Sequence, residues 1–185
     1  MTAATTTLRQ LTQQFSQTGR LDAIYLRPAR GVACENVQIA HAIAQKGLVG
    51  DRTHDKPTSN ASNTNPSASK FVEGKRQVTL IQAEHISVIS ALTAKPVDAA
   101  KLKRNLVVSG INLLAAKSLF KDQTMQLTIG EVILEITGPC EPCSKMEVTL
   151  GHGGYNAMRG HGGVTAKVIK SGALKVGDTV NCKPC

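Results

Sequence analysis

Two cysteines three apart, Cys140 and Cys143 in the stretch Gly138-Pro139-Cys140-Glu141-Pro142-Cys143-Ser144-Lys145-Met146-Glu147, are the residues of this chain best suited to chemistry. A thiolate is both a nucleophile and a soft metal ligand. Such a pair suits half of a zinc site, a redox dithiol, or one working thiol beside a neighbour. Cys182 and Cys185 repeat the spacing, so four thiolates could in principle hold one zinc ion. Against this, 38 residues separate the pairs, where compact zinc ribbons use roughly 15–20. A thioredoxin-type dithiol wants its first cysteine at a helix start that follows a strand, whereas Pro139 and Pro142 bracket an irregular segment here.

Cys143 has the more reactive surroundings. Lys145 lies two residues on, and the following loop carries His152, Arg159 and His161; cations of this kind stabilise a thiolate. That loop has six glycines in the thirteen positions from Gly151 to Gly163. Its backbone N–H groups can form an anion-binding nest, or the glycines can make a flexible connection. Cys34 reads as an inert, buried small hydrophobe, and the role of Cys140 stays open.

Two further runs place cations next to turns. In Gly47-Leu48-Val49-Gly50-Asp51-Arg52, Arg52 is suited to bidentate contact with phosphate or carboxylate, with Asp51 holding its orientation; the plain alternative is an exposed ion pair of little consequence. Lys103-Arg104-Asn105 precedes a strand, and is a basic helix cap unless it faces a pocket.

The elements that must position these residues are mostly strands. Alternation marks residues 21–27, 37–44, 77–82, 106–108, 164–169 and 179–181 as strands. Residues 126–137 read as two alternating arms around a tight turn at Ile129-Gly130-Glu131. Residues 83–95 predict a helix with Ile86, Ile89 and Leu92 on its apolar face, stopped by Pro96, and residues 98–104 a second short one. Leu8, Leu11 and Phe15 fall on one face of a short N-terminal amphipathic helix. The run 171–178 (SGALKVGD) reads as turn. Ser, Thr, Asn and Pro make up eleven of the fourteen residues in the run 57–70, a composition that buries no apolar surface. The expected architecture is mainly β, a closed or nearly closed β-barrel with a few short peripheral helices. It divides into a helical extension at 1–20, a barrel domain at 21–181 with a polar, mobile insert at about 55–72, and a tail at 182–185.

Bulk properties narrow the functional classes. A chain of 185 residues suits one domain. No apolar run approaches the ~18 residues of a membrane helix, and the N-terminal twenty residues lack the apolar core of a secretory signal. Five cysteines without such a signal read as cytosolic thiols, which makes the expected location cytoplasmic. The net charge of +9 favours an anionic partner, yet residues 1–92 carry 10 of the Lys and Arg and residues 93–185 carry 12, so no basic block stands out. With 3% aromatic residues and no Trp, nucleic acid is not the expected partner. A small phosphorylated ligand suits the charge.

Four stretches together resemble the MOSC domain, the module named after the C-terminal part of molybdenum cofactor sulfurase. They are GLVGDRTH (47–54), KRNLVVSGINL (103–113), IGEVILEITGPCEPCSKME (129–147) and GGYNAMRGHGGVTAKVIKSGALKVGDTV (153–180). The resemblance implies a mostly β barrel with one functional cysteine, the one directly after Pro, which carries over to Cys143. It implies binding of molybdenum cofactor with Cys143 as molybdenum ligand, and two-electron reduction of N-hydroxylated or related small-molecule substrates. It equally admits a sulfur carrier whose Cys143 persulfide comes from a pyridoxal-phosphate-dependent desulfurase. The cofactor's pterin ends in phosphate, and Arg52, Arg104, Asn105, Lys145, Asn156 and Arg159, with the Gly151 to Gly163 backbone, are the candidates for its cradle. The chain carries no desulfurase or electron-transfer module, so electrons for a reductase must come from a partner.

Overall fold

The computed structural model describes residues 6–54 and 74–185. The polar run expected as a mobile insert, at 55–72, lies outside the described residues.

Alternating apolar side chains build the frame. Strand β1 (Gly19–Leu26) is followed by β2 (Glu35–Val37), β3 (Ile39–Ile43) and β4 (Gly47–Leu48). Beyond the insert come β5 (Val78–Gln82), helix α2 (Ala83–Thr93), a 3-10 turn at Ala99–Leu102 and β6 (Leu106–Ser109). Helix α1 (Leu8–Leu11) precedes β1. The second half runs β7 (Met125–Ile129), β8 (Val132–Pro139), α3 (Ser144–Leu150), α4 (Gly154–Met158), β9 (Val164–Lys170), β10 (Gly172–Lys175) and β11 (Thr179–Pro184). Seven of the strands close into a mixed barrel in the order β11-β7-β8-β9-β5-β6-β1, shut by Gly19 pairing with Val180. A smaller sheet, β10-β3-β4, packs beside it.

The period-2 pattern explains which faces point inward. Along β7 and β8, Leu127, Ile129, Val132, Leu134 and Ile136 are buried and alternate with partly exposed residues. They join Leu21, Ile24, Leu80, Leu106, Val164 and Val168 in the interior. Each such side chain contributes about 1.5–3 kcal/mol when fully removed from water. The β7–β8 turn falls where the sequence predicts it: Ile129 pairs with Val132, and Gly130 takes φ +54°.

The pair β5–β6 is parallel, so the chain must cross back between the two strands, and α2 with the 3-10 turn makes that crossover. These elements lie against a second apolar cluster in which Ile81, Ile89, Leu102 and Val107 meet Met146, Leu150, Ala157 and Met158. Helices α3 and α4 are thus anchored on the outside of β5 and β6, which fixes both loops that carry the candidate chemistry.

Several expectations are corrected. The stretch 37–44 is two strands, because Glu35 to Val37 pair with β1 whereas Ile39 onward pairs with β10. The run 171–178, read as turn, contains β10, held by its pairing with β3. Leu92 is 60% exposed and does not share the buried face of Ile89. Helix α1 is only four residues long, with Leu8 and Leu11 exposed and Phe15 packed on the core.

Candidate functional site

The loop between β8 and α3 sends one thiol inward and one outward. Cys140 is 2% exposed and its backbone N–H donates to the Gly163 carbonyl at 2.8 Å, stitching the end of β8 to the start of β9. Its Sγ accepts from Arg76 Nη2 at 3.2 Å. Pro142 is buried and Cys143 is exposed. Cys143 is the last residue before α3, in extended conformation at φ −116° and ψ 168°, and its side chain caps nothing. The buried Pro142 turns the chain so that the following side chain faces solvent.

Behind this loop sits Arg104, only 4% exposed. Its guanidinium donates to three backbone carbonyls: Nε to Gly162 at 2.7 Å, Nη1 to Leu102 at 2.9 Å and Nη2 to Cys140 at 3.1 Å. The planar fork of Arg holds the two loops together in a way a lysine could not. Burial pushes its pKa down, Cys140 and Cys143 act in favour of its charge, and Arg76 and Arg27 act against it. The glycines beside Arg104 are obligatory. A Cβ on Gly162 would meet the Cys140 carbonyl, and Gly163, at φ +84°, would meet the Leu80 carbonyl.

A second buried network lies alongside. Arg27 pairs with Asp51, Nε to Oδ2 at 2.9 Å and Nη2 to Oδ1 at 3.0 Å. Asn105, fully buried, donates Nδ2 to Asp51 Oδ2 at 2.7 Å and to the Tyr25 carbonyl at 3.1 Å. Its Oδ1 accepts from Arg27 Nη2 at 2.9 Å and from the Thr79 backbone and hydroxyl. Burial alone would raise the Asp51 pKa, but hydrogen bonds and charge from Arg27, with Thr53, outweigh it and hold it at about 2. Asp51 therefore orients Arg27, and not Arg52 as the sequence suggests. Asn105 has every polar atom engaged inside this network.

The remaining candidates lie at the surface. Arg52 is half-buried, and Lys145, Asn156 and Arg159 are exposed. None of these four side chains makes a hydrogen bond or ion pair among the described residues, which leaves them available to a ligand. Arg52 and Lys103 both act on Cys34, which is half-buried and not the enclosed thiol expected; burial raises its pKa and the cations oppose this. The two histidines of the glycine loop are not gathered on Cys143. His152 is exposed with Nδ1 3.8 Å from Glu147, and His161 packs edge-on against His85 with ring centroids 5.2 Å apart. Glu147 itself accepts the Gly153 and Tyr155 N–H groups at 2.7 and 2.8 Å, so it pins the glycine loop to α3.

The zinc arrangement is not formed. Among the described residues no three His, Cys, Asp or Glu side chains lie close enough to share a metal ion. Cys182 and Cys185 sit at the end of β11, where residues three apart point to opposite faces. Cys182 is buried in the barrel core with its pKa raised to about 11 by burial. Cys185 is exposed and accepts from Gln126 Nε2 at 3.3 Å.

Sequence reasoning missed Arg27 and Arg76. Each stands at the end of a strand, Arg27 after β1 and Arg76 before β5, as Arg104 stands before β6. No local motif marks them; only the strand order brings the three cations to one place.

The family model described as MOSC domain matches residues 34–181. Solved structures with the same fold include the YuaD protein of Bacillus subtilis, 19% identical with a TM-score of 0.72, over 91% of this chain and 97% of that one. YiiM of Geobacillus stearothermophilus is 11% identical with a TM-score of 0.61, over 90% of this chain and 75% of that one. YiiM of Escherichia coli is 16% identical with a TM-score of 0.58, over 90% and 69%. No curated protein sequence matches the chain.

Proposed function

This chain belongs to the MOSC domain family, which is associated with molybdenum cofactor, and we propose that it binds that cofactor through Cys143 and reduces an N-oxygenated small molecule by two electrons. The observation that carries the reading is the exposed Cys143 thiol, which caps nothing, in a loop that the buried Arg104 braces through the Cys140 carbonyl and that also presents the exposed Lys145. That donor set fits the group: a thiolate is the soft ligand a molybdenum centre takes, and surplus cations suit its phosphate.

In this reading Cys143 is the metal ligand, and Arg52, Lys145 and Arg159, with Asn156, hold the phosphate and pterin. Bound there, the cofactor supplies a two-electron redox centre. Arg104 does not touch it. Its role is to fix the Cys140 and Gly162 carbonyls, so that Cys143 and the glycine loop keep one relative position. Asn105 acts at one further remove, by holding the Arg27–Asp51 pair behind the loop. The electron donor is a separate protein, and the substrate a small molecule.

Protein produced in cells with intact cofactor synthesis is expected to carry molybdenum, and Cys143→Ser to lose it while still folding. Wild-type protein devoid of molybdenum, or a serine variant that retains it, overturns the assignment.

The exposure of Cys143 also favours a second reading, a sulfur carrier, because a thiol open to solvent is open to a partner desulfurase. Incubated with such an enzyme and cysteine, the protein would gain the mass of one sulfur atom, absent in Cys143→Ala. Failure to gain it removes this reading.

A further inference from the structure

Away from Cys143, the segment before β1 and the connection between β6 and β7 border a half-open cavity of about 510 Å³. Pockets of roughly 300–1,000 Å³ are the size that holds small organic ligands. None of the residues assigned to the cofactor lines it, and Leu11 to Gln17 on its wall precede the span matched by the family model. The lining is mixed but mainly apolar, with Leu11, Phe15, Ile111, Leu114, Phe120 and Met125 contributing to it. Leu11 and Leu114 are 51% and 41% exposed, and Leu119 at the rim is 65% exposed. Large apolar side chains left in water around a concave surface mark a binding site more often than chance exposure does.

One polar group gives the cavity direction. Lys117 is the charged residue among those lining the cavity, and among the described residues its side chain has no ion-pair partner. The nearby Arg9 is already neutralised by Asp122 at 3.0 Å and lies 4.4 Å over the Phe120 ring.

We infer that this cavity binds a small amphipathic anion: an apolar body between Leu11, Phe15 and Phe120, and an acidic head on Lys117. The site is independent of Cys143 and of any cofactor there.

The probe that tests it is 8-anilinonaphthalene-1-sulfonate, which combines aromatic rings and a fixed negative charge. Titration followed by fluorescence should show a single saturable site. Ala115→Trp fills the cavity and should weaken binding about tenfold or more, as should Ser16→Trp on the facing wall if the first variant does not fold. Lys117→Gln should weaken the anionic probe about fivefold and leave the neutral 1-aminoanthracene unchanged. Cys143→Ser should bind the probe as the wild type does, which keeps this test separate from that of the cofactor. No saturable binding, or tryptophan variants that bind as the wild type does, would overturn the site. Equal weakening of both probes by Lys117→Gln would overturn the anion. A concentration-dependent dimer in sedimentation, lost in Ala115→Trp, would assign the cavity to a second copy of the chain and overturn the inference likewise.

Discussion

Cys140, Cys143, Cys182 and Cys185 are one residue type in four environments, and native alkylation separates them. Cys143 and Cys185 are exposed, Cys140 is enclosed under Arg76, and Cys182 is buried with its thiol pKa at about 11. Iodoacetamide on the folded protein at neutral pH is expected to label Cys143 and Cys185, and to reach Cys140 and Cys182 only after denaturation, as peptide mass mapping would record. Asp51 provides the second prediction at this scale. Asp51→Ala leaves Arg27 buried and unpaired, and should cost about 3–5 kcal/mol in denaturant unfolding. The folded-state pKa of about 2 lies below the ordinary 3.8. Asp51 therefore contributes stability that is complete above about pH 4 and is lost as pH falls toward 2. The gap in melting temperature between wild type and Asp51→Asn should narrow over that window and stay constant above it.

The loops after β8 and before β9 depend on what braces them from behind. Gly163→Ala faces both a left-handed φ and the Leu80 carbonyl, so the strand β9 must shift away from β5. A loss of about 3 kcal/mol or more is expected, drawn from backbone strain and overpacking together, and measured by thermal unfolding. Arg104→Lys keeps the charge but cannot span three carbonyls. It should lower stability by about 1.5–3 kcal/mol and speed native labelling of Cys140 as the loop loosens.

At this scale the sequence was legible where pattern is local. The β7–β8 hairpin, α2 and the Pro-Cys-x-Lys segment follow from alternation, a proline stop and spacing. Arg27 was not legible, because its partner Asp51 lies 24 residues away across a strand change. The break between β2 and β3 was hidden for the same reason: two neighbouring stretches of one alternating run join different sheets. Asn105 became a cradle candidate through the family resemblance of the KRNLVVSGINL stretch, whereas its burial and its bonds to Asp51, Arg27 and Thr79 make it a link between strands.

At the scale of the molecule, the fold is one closed barrel whose cations gather at strand ends. Four cysteines do not staple it: a strong zinc chelator such as EDTA in excess is expected to leave the melting temperature unchanged. A drop of several degrees would show that metal contributes to the fold after all. The net charge of +9 has no single locus in the sequence. In three dimensions, strand order concentrates part of it around Arg27, Arg76 and Arg104, which is why the candidate site could be named from the sequence only in part.

The seam of the barrel joins Gly19 to Val180. During synthesis the first strand therefore waits for some 160 further residues to leave the ribosome before it meets β11. Until then an open edge is presented to solvent or to a chaperone, and loop-closure entropy over that length opposes closure. Nascent chains arrested short of β11 should be held by chaperones or digested by protease, and should become resistant only when that final strand emerges.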